Sequence, residues 1–374
     1  MDLKTTDEQS WLSESVTAML TREWVTPQDA ARATPEQRHR VWAELVAFGA
    51  LGIGGADGLG AAELCLIARA LGSHLASAPF LGSAAVRLAL APDAGSLPPG
   101  LASVLAGKEA IGLALLEPGR GWTAEDPRTR LARGPDGLRI HGAKVAVEQF
   151  QAAERIAVIA TLDDGPALAV TPAREAGLVT RAQRCFDDTA LMGSAVFEWV
   201  PVPASSVLSG PGARQALDRL MAAGALLAAA EAAGAADRVF SLACGYAAQR
   251  RQFGRSIGSF QALRHLLADA YVRAESGWSA VRYAAAAFDE GAPEAAQAVS
   301  VAKAYVSRGA REITHTAMQV FGGIAFTAEH PAHRFLRRVC VRAQQFGDAA
   351  YHERLLGQAL AERARPVRAM APVA

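Results

Sequence analysis

The sequence predicts a mostly helical protein with a β domain in the middle of the chain. Apolar residues recur at helical spacing over residues 1–110, and short apolar or alternating runs broken by Gly, Pro and Asp fill residues 111–205. Long alanine-rich segments with helical periodicity return over residues 206–374. These zones indicate an N-terminal helical domain, an antiparallel β-barrel-like middle domain and a C-terminal four-helix bundle.

Each zone has its own markers in the sequence. In the first, Leu64, Ile67 and Leu71 follow helical spacing, and the turn-rich stretch APDAGSLPPG closes the zone. In the second, RIAVIATL, ALAVTP and SAVFEWVPV are typical of strands, and PVPASSVLSGPG is a linker to the third zone. The third zone is interrupted at three turns, which we place at residues 254–259, 290–292 and 322–323.

Composition excludes several classes of protein. The 374 residues carry a net charge of +1, so the chain lacks the basic field that nucleic-acid binding needs. The polar, acidic start MDLKTTDEQS does not resemble a secretory signal, and the longest apolar run, near 220–230, is too short to span a bilayer. The four cysteines are far apart, which favours reduced thiols. We therefore expect a cytoplasmic protein with no nucleic-acid partner and no membrane span.

Two short patterns suggest sites that other features argue against. GIGGADGLG (52–60) has the glycines of a dinucleotide-binding turn, but a helix-like segment precedes it and Asp57 stands at the third glycine position. A glycine-rich connection is the better interpretation. EHPAH (329–333) offers two histidines, but Pro331 between them indicates a helix start, so we expect no metal site. Gly-Arg-Ser-Ile-Gly (254–258) follows the G-x-S-x-G pattern, but it lies at a turn between two helix-like segments and not between a strand and a helix, so it is no nucleophile elbow and acyl transfer through a serine has little support.

The segment YAAQRRQFGRSIGSFQ (246–261) carries stronger candidates. Arg250 suits bidentate pairing with a pyrophosphate, and Phe253 offers a flat face to a purine or flavin ring. Alone, the arginine is an ordinary helix-end charge and the phenylalanine an ordinary core residue.

A second segment, QVFGGIAFT (319–327), offers complementary groups. Gln319 can donate and accept hydrogen bonds, while Gly322 and Gly323 let a ligand approach bare backbone. The two segments together indicate a site for a nucleotide cofactor.

These segments resemble the acyl-CoA dehydrogenase flavoprotein family. The family pattern Tyr-x-x-x-Arg-x-Gln-Phe-Gly-x-x-Ile-x-x-Phe-Gln is matched by Tyr246, Arg250, Gln252, Phe253, Gly254, Ile257, Phe260 and Gln261. The pattern Gln-x-x-Gly-Gly-x-Gly-Phe-Thr-x-Glu-x-Pro is matched, with Ala325 in place of its third glycine, by Gln319, Gly322, Gly323, Phe326, Thr327, Glu329 and Pro331. The helical, β, helical order of the chain is also that of the family.

The resemblance implies FAD-dependent α,β-desaturation of an acyl-CoA thioester, with an electron-transferring flavoprotein as electron acceptor. A carboxylate removes the α-proton while the flavin accepts the β-hydride. The cofactor contacts fall on Arg250, Gln252, Phe253, Gly254, Gln319, Gly322 and Gly323. The arginine and the phenylalanine would contact the diphosphate and adenosine side, and the last three residues the adenylate end. In family members these contacts reach the flavin of a neighbouring subunit.

The resemblance fails at the catalytic base. The family glutamate precedes a glycine after the arginine-rich helix, and here Phe346 stands before Gly347. An alternative base position on an earlier helix falls on Asp218, whose ordinary role would be that of a solvated helix carboxylate. Asp348 is a weaker candidate.

The β zone departs from the family in the same direction. The segment Thr-Glu-Pro-x-x-Gly-Ser-Asp, which holds flavin and substrate, reads LLEPGRGWT (115–123), where Glu117 persists and no Ser-Asp follows. The Trp-Ile-Thr strand that backs the flavin ring has Ala146 and Glu148 in place of Trp and Thr.

Groups that would serve a neighbour's FAD thus persist, while those for this chain's own flavin and base are gone. The pattern is similar to the base-lacking subunit of split acyl-CoA dehydrogenases, in which two homologous chains form an α2β2 tetramer. We therefore predict a subunit that completes a partner's FAD site for fatty-acid or steroid side-chain degradation. Three alternatives stay open: a stand-alone homo-oligomer with Asp218 as base, a flavoenzyme with altered chemistry, and a non-catalytic scaffold subunit.

Overall fold

The computed structural model describes residues 4–52, 59–106, 108–122, 126–134, 137–163 and 165–364. The predicted order of helical, β and helical zones is confirmed. The glycine-rich connection predicted at 52–60 lies mostly outside the described residues.

The N-terminal zone is helical. Its helices are α1 (Asp7–Glu23), α2 (Pro35–Ala47), α3 (Ala61–Ser73), α4 (Phe80–Leu90) and α5 (Pro99–Ala106). The first two begin with the same capping box, in which a threonine hydroxyl accepts a backbone N–H three residues on and a glutamine side chain returns the bond. In α2 these residues are Thr34 and Gln37.

The middle zone forms one sheet. Its strands are β1 (Ile111–Ala114), β2 (Arg130–Gly134), β3 (Gly137–Glu148), β4 (Arg155–Leu162), β5 (Gly165–Pro172), β6 (Leu178–Gln183), β7 (Met192–Val202) and β8 (Val207–Leu208). Their order across the sheet is β6-β7-β3-β2-β4-β5-β8, with β1 joined to β4 off this path.

The antiparallel, barrel-like arrangement expected for this zone is wrong in two respects. The sheet is mixed, because β1 and β2 both pair with β4 in parallel. It is also open, because β6 and β8 lie at opposite ends of the strand order and do not pair with each other. Alternating apolar residues predict a strand and its buried face, but they do not encode the direction of its neighbour.

The C-terminal zone returns to helices. They are α6 (Pro211–Gln249), α7 (Gln261–Asp289), α8 (Ala295–Phe321), α9 (Ala332–Gln344) and α10 (Ala349–Ala364). A short hairpin of β9 (Arg251–Gln252) and β10 (Arg255–Ser256) separates α6 from α7. The domain boundaries predicted at 110 and 205 stay predictions, although the secondary structure changes between α5 and β1 and between β8 and α6.

Helix α6 lies at the centre of the protein. It is long and apolar enough to cross a membrane by length and composition alone, but 83% of its most apolar window is buried inside the protein, as in the core helix of a soluble fold. Its small residues permit close contact with α3: a Cβ atom on Gly234 would lie 1.9 Å from the carbonyl oxygen of Arg69, and one on Gly72 would lie 2.0 Å from that of Glu231. Only glycine fits at either position.

Candidate functional site

The end of α6 is an exposed hairpin. Arg250 leaves the helix in an extended conformation, with its backbone N–H bonded to the carbonyl of Tyr246 at 2.8 Å. The chain then reverses through Phe253 (φ +50°) and Gly254 (φ +79°), two left-handed residues that form a tight hairpin turn. A phenylalanine with a positive φ is uncommon. Here that conformation places an aromatic ring at the tip of the hairpin.

The side chains at this tip face solvent. Phe253 is 91% exposed, and its ring lies nearly perpendicular to that of Phe260, at 6.2 Å between centroids. Arg250 and Gln252 are exposed as well. The predicted arginine and phenylalanine are therefore outside their own helical bundle, where a second molecule could reach them.

The second predicted segment ends α8. Gly322 adopts φ +66° and donates its backbone N–H to the carbonyl of Met318, which terminates the helix. A Cβ on Gly322 or Gly323 would meet nothing within 4 Å, so both glycines face open space, and Gln319 is exposed one turn earlier. Ala325, which stands where the family has a glycine, is fully buried and its methyl group packs in the core.

The fold brings the two segments together. The ring of Tyr246, in the last turn of α6, lies 5.3 Å from the ring of Phe321 at the end of α8. The His330 ring also contacts Phe321, with 4.3 Å between the ring centroids and a tilt of 59°. Gly322 follows Phe321 directly and Arg250 comes four residues, about one helical turn, after Tyr246, which places both predicted cofactor segments at one end of the bundle. The implied FAD therefore finds fitting groups here for its nucleotide half: exposed guanidinium, phenyl and amide side chains beside uncovered backbone.

The usual base position is a buried aromatic. Phe346 is 3% exposed, and its ring centroid lies 5.4 Å from that of Trp122. A Cβ on Gly224 of α6 would lie 2.2 Å from the Phe346 ring, so the helix backbone is pressed against the ring face. No proton can be accepted at this side chain.

The turn that carries Phe346 is held from two sides. The Lys303 ammonium donates to the carbonyls of Arg342 and Ala343 at 2.8 and 3.0 Å, near the C-terminus of α9. His352 Nε2 lies 3.0 Å from the Phe346 carbonyl oxygen. Burial lowers the pKa of Lys303 to about 7 and, together with the nearby Lys303, the pKa of His352 to about 4. The histidine is therefore neutral at physiological pH.

The alternative carboxylates do not reach this position. Asp218 lies on the exposed face of α6, six residues before Gly224, so the two positions are about 120° apart around the helix. Asp348 accepts the backbone N–H of Tyr351 at 2.8 Å, which is the role of an N-cap for α10.

A cavity lies between the sheet and α9. It has a volume of about 660 Å³ and is lined by apolar side chains that include Leu116, Val145, Met192, Val341 and Trp122. The volume would accept a flat ring system.

A second, smaller cavity lies behind the first, towards the N-terminal helices. It measures only about 20 Å³, and Leu81 and Leu113 line it. Trp122, Ala146 and Gln345 line both cavities and therefore separate them. About one water molecule fits in the smaller space, so an acyl chain has no room there. The backbone N–H of Ala146 is also already bonded to the Gln183 side chain, at 2.9 Å.

A buried ion network closes the same region. Glu148, in place of the family threonine, receives both Nη atoms of Arg342, each at 2.6 Å. Glu231 of α6 bridges Arg342 and Arg338 at 3.0 and 2.7 Å, and Arg338 also pairs with Asp187. Burial raises the pKa of Glu148, but Arg342 outweighs burial and holds that pKa below its ordinary value. Paired charges thus fill the inner end of the cleft, where Glu148 borders the smaller cavity, and no room is left there for a substrate beside a ring held in the larger cavity.

Glu117, the persistent family glutamate, has a structural role. Its carboxylate accepts the backbone N–H groups of Arg128 and Thr129 and the ammonium of Lys144, each at 2.8 Å. Burial raises the pKa of Glu117, yet these hydrogen bonds bring it down to about 2. The side chain thus joins the segment after β1 to the residues that precede β2.

Sequence reasoning missed the residues that close the cavity. Trp122 was part of the segment that departs from the family, and its aromatic character was the available signal. Arg338 and Arg342 stand four residues apart on α9, so they share one face, and that spacing alone could not show whether the face is buried.

The chain combines a helical, β, helical architecture with exposed groups that suit a nucleotide at one end of its bundle. The sequence profile "Acyl-CoA dehydrogenase, C-terminal domain" matches residues 210–362. Acyl-CoA dehydrogenase FadE34 of Mycobacterium tuberculosis is 31% identical over 355 residues, which cover 89% of this chain and 45% of that protein. The chain spans less than half the length of this and another curated relative that it matches.

Solved structures agree in fold. The ChsE4-ChsE5 complex from Mycobacterium tuberculosis superposes with a TM-score of 0.83 at 26% identity, over 97% of this chain and 99% of the other. The Tcur3481-Tcur3483 steroid ACAD superposes with a TM-score of 0.82 at 27% identity, over 96% and 99%. The chain belongs to the acyl-CoA dehydrogenase family.

Proposed function

We propose that this chain is a subunit of an FAD-dependent acyl-CoA dehydrogenase and that it completes the FAD site of a homologous partner chain. One contrast carries the proposal: Phe253 at the nucleotide-side hairpin is 91% exposed, whereas Phe346 at the base position is 3% exposed. The nucleotide-side hairpin is open to another molecule, whereas the base position is filled by a buried aromatic ring.

The bound FAD supplies the hydride acceptor for α,β-desaturation. This chain's own part is to hold the nucleotide half. The Arg250 guanidinium would pair with the pyrophosphate, the Phe253 ring would cover the adenosine side, and Gln319 would bond the adenylate end. Gly322 and Gly323 leave room for the approach. The base that removes the α-proton then belongs to the partner, a homologous chain with the glutamate in place.

The relatives support the substrate class and the assembly. One matched structure is a complex of two named chains, and another is described as a steroid ACAD. We therefore include a cytoplasmic α2β2 assembly, a lipid or steroid side-chain acyl-CoA substrate and an electron-transferring flavoprotein as acceptor in the proposal. A stand-alone enzyme with Asp218 as base is disfavoured by the exposed position of that residue away from Phe346.

The test is co-expression with a homologous chain that has the intact Glu-Gly site. We expect the lone chain to lack flavin and the complex to contain one flavin per pair of unlike chains. Arg250→Ala or Phe253→Ala in the complex should weaken flavin binding about tenfold or more, since each removes a direct contact. Arg214→Ala is the matched control, because this exposed arginine lies at the opposite end of the same helix.

Three results distinguish the proposed subunit from a stand-alone enzyme and from a scaffold subunit. Stoichiometric flavin and turnover on the lone chain contradict the proposal, and loss of that turnover in Asp218→Asn would identify the stand-alone enzyme. If Arg250→Ala and Phe253→Ala complexes keep their flavin as Arg214→Ala does, the chain is a scaffold only. Selective flavin loss in the two hairpin variants supports the proposed role.

A further inference from the structure

A third cavity lies at the start of α2, outside the site described above. It has a volume of about 280 Å³. Trp42, Pro79 and Leu191 line it with apolar surface, and the exposed residues His39 and Ala152 lie at its rim. Nothing in the proposed dehydrogenase function uses this space.

Arg38 stands in the cavity wall and is 6% exposed. Its Nη1 and Nη2 atoms donate to the carbonyls of Thr189 and Ala33 at 3.3 and 3.4 Å, which are long bonds. Its other contact is the face of Trp24, 5.7 Å from the guanidinium carbon. Among the described residues, no carboxylate forms an ion pair with Arg38 and its remaining N–H groups have no acceptor.

This situation differs from that of the other buried arginines on this side of the protein. Arg338 and Arg342 each pair directly with carboxylates. Arg38 instead has its pKa lowered, first by burial and then by repulsion from Arg338, with Asp187 acting weakly in the opposite direction. A buried guanidinium without a counter-charge is costly, and a bound anion would remove that cost.

The surroundings specify the kind of anion. Arg38 lies in the first turn of α2, where the helix dipole also favours negative charge. The facing surface of Trp42, Pro79 and Leu191 would be left uncovered by an inorganic ion. We infer that this cavity binds a small organic carboxylate, with its carboxylate on Arg38 and its apolar body against Trp42. The cavity volume limits the body to about the size of one ring or a short chain.

The probe is benzoate, with benzamide as the neutral isostere and inorganic phosphate as the anion without an apolar body. Binding to the full chain is measured by titration calorimetry. Ala152→Leu fills the cavity from its exposed rim and leaves the guanidinium in place, while Arg38→Gln removes the charge. Arg40→Gln is the matched control, because Arg40 is an exposed arginine on the same helix that does not line the cavity.

We expect saturable benzoate binding that both cavity variants weaken about tenfold or more and that Arg40→Gln leaves unchanged. Benzamide should not bind measurably, and phosphate should bind more weakly than benzoate. The inference is overturned if benzoate does not saturate, if Ala152→Leu binds it as the unmodified chain does, or if phosphate binds as tightly. Should Arg38→Gln fail to fold, Ala152→Leu still decides the question.

Discussion

Restoring the family carboxylate at Phe346 should destabilise the protein and not create a catalyst. Phe346 is 3% exposed, packed against Trp122 at 5.4 Å and pressed against the backbone of α6. Truncating a buried phenylalanine costs roughly 3–5 kcal/mol. Glutamate keeps part of the volume but adds about 1–3 kcal/mol for burying a polar group without a partner. We expect Phe346→Glu to lower the free energy of unfolding by about 3–5 kcal/mol.

The loss should depend on pH in a defined direction. A carboxyl in this apolar setting has its folded-state pKa raised above its unfolded value of about 4.3, because burial disfavours the charged form. The unfolded state therefore releases its proton first, and the variant loses further stability as pH rises from about 4.3 towards the folded pKa. The penalty should be larger at pH 8 than at pH 5.

Urea unfolding of the full chain at both pH values measures the effect. Phe346→Leu is the matched control, since an apolar replacement of similar volume costs less than about 1.5 kcal/mol and adds no titrating group. The lone Phe346→Glu chain should also show no acyl-CoA desaturation, because the cavity behind Trp122 holds only about 20 Å³. Equal stability of the two variants at pH 8, or turnover by the glutamate variant, would refute the closed-cavity reasoning.

Three further substitutions test the interior. Gly224→Ala should cost about 1–3 kcal/mol, because its Cβ would lie 2.2 Å from the Phe346 ring, and Phe346→Leu should relieve part of that loss in a double-mutant cycle. Glu117→Gln should cost about 3–5 kcal/mol by leaving a buried ammonium unpaired. The parent chain should lose stability as pH falls from about 4.3, the unfolded-state pKa of a glutamate, towards the folded-state pKa of Glu117, about 2. Glu117→Gln has no carboxyl at this position and should lack that pH dependence. Glu148→Gln should lower the free energy of unfolding by about 3–5 kcal/mol, because the buried Arg342 guanidinium loses the carboxylate of position 148. Thermal unfolding measures this effect.

The hairpin after α6 depends on short-range features, and the sequence alone predicted that the helix is interrupted there. A helix that stops at Arg250 and a glycine at position 254 are short-range features, because a left-handed turn favours glycine whatever surrounds it. The replacement of a glutamate by Phe346 could likewise be read directly from the motif. The zones of helix and strand followed from periodicity, which depends only on neighbours along the chain.

The contacts that fill the base position and the inner end of the cleft depend on the tertiary structure. Glu148 and Arg342 are 194 residues apart, so no local pattern links them. Trp122 lies opposite Phe346 only because the sheet packs against α6 and α9. The same holds for the direction of β2 beside β4, which hydrogen bonding between distant strands selects. Sequence periodicity determined which zones of the chain form helices and which form strands. Packing between distant elements determined which polar groups found partners and which cavities remained.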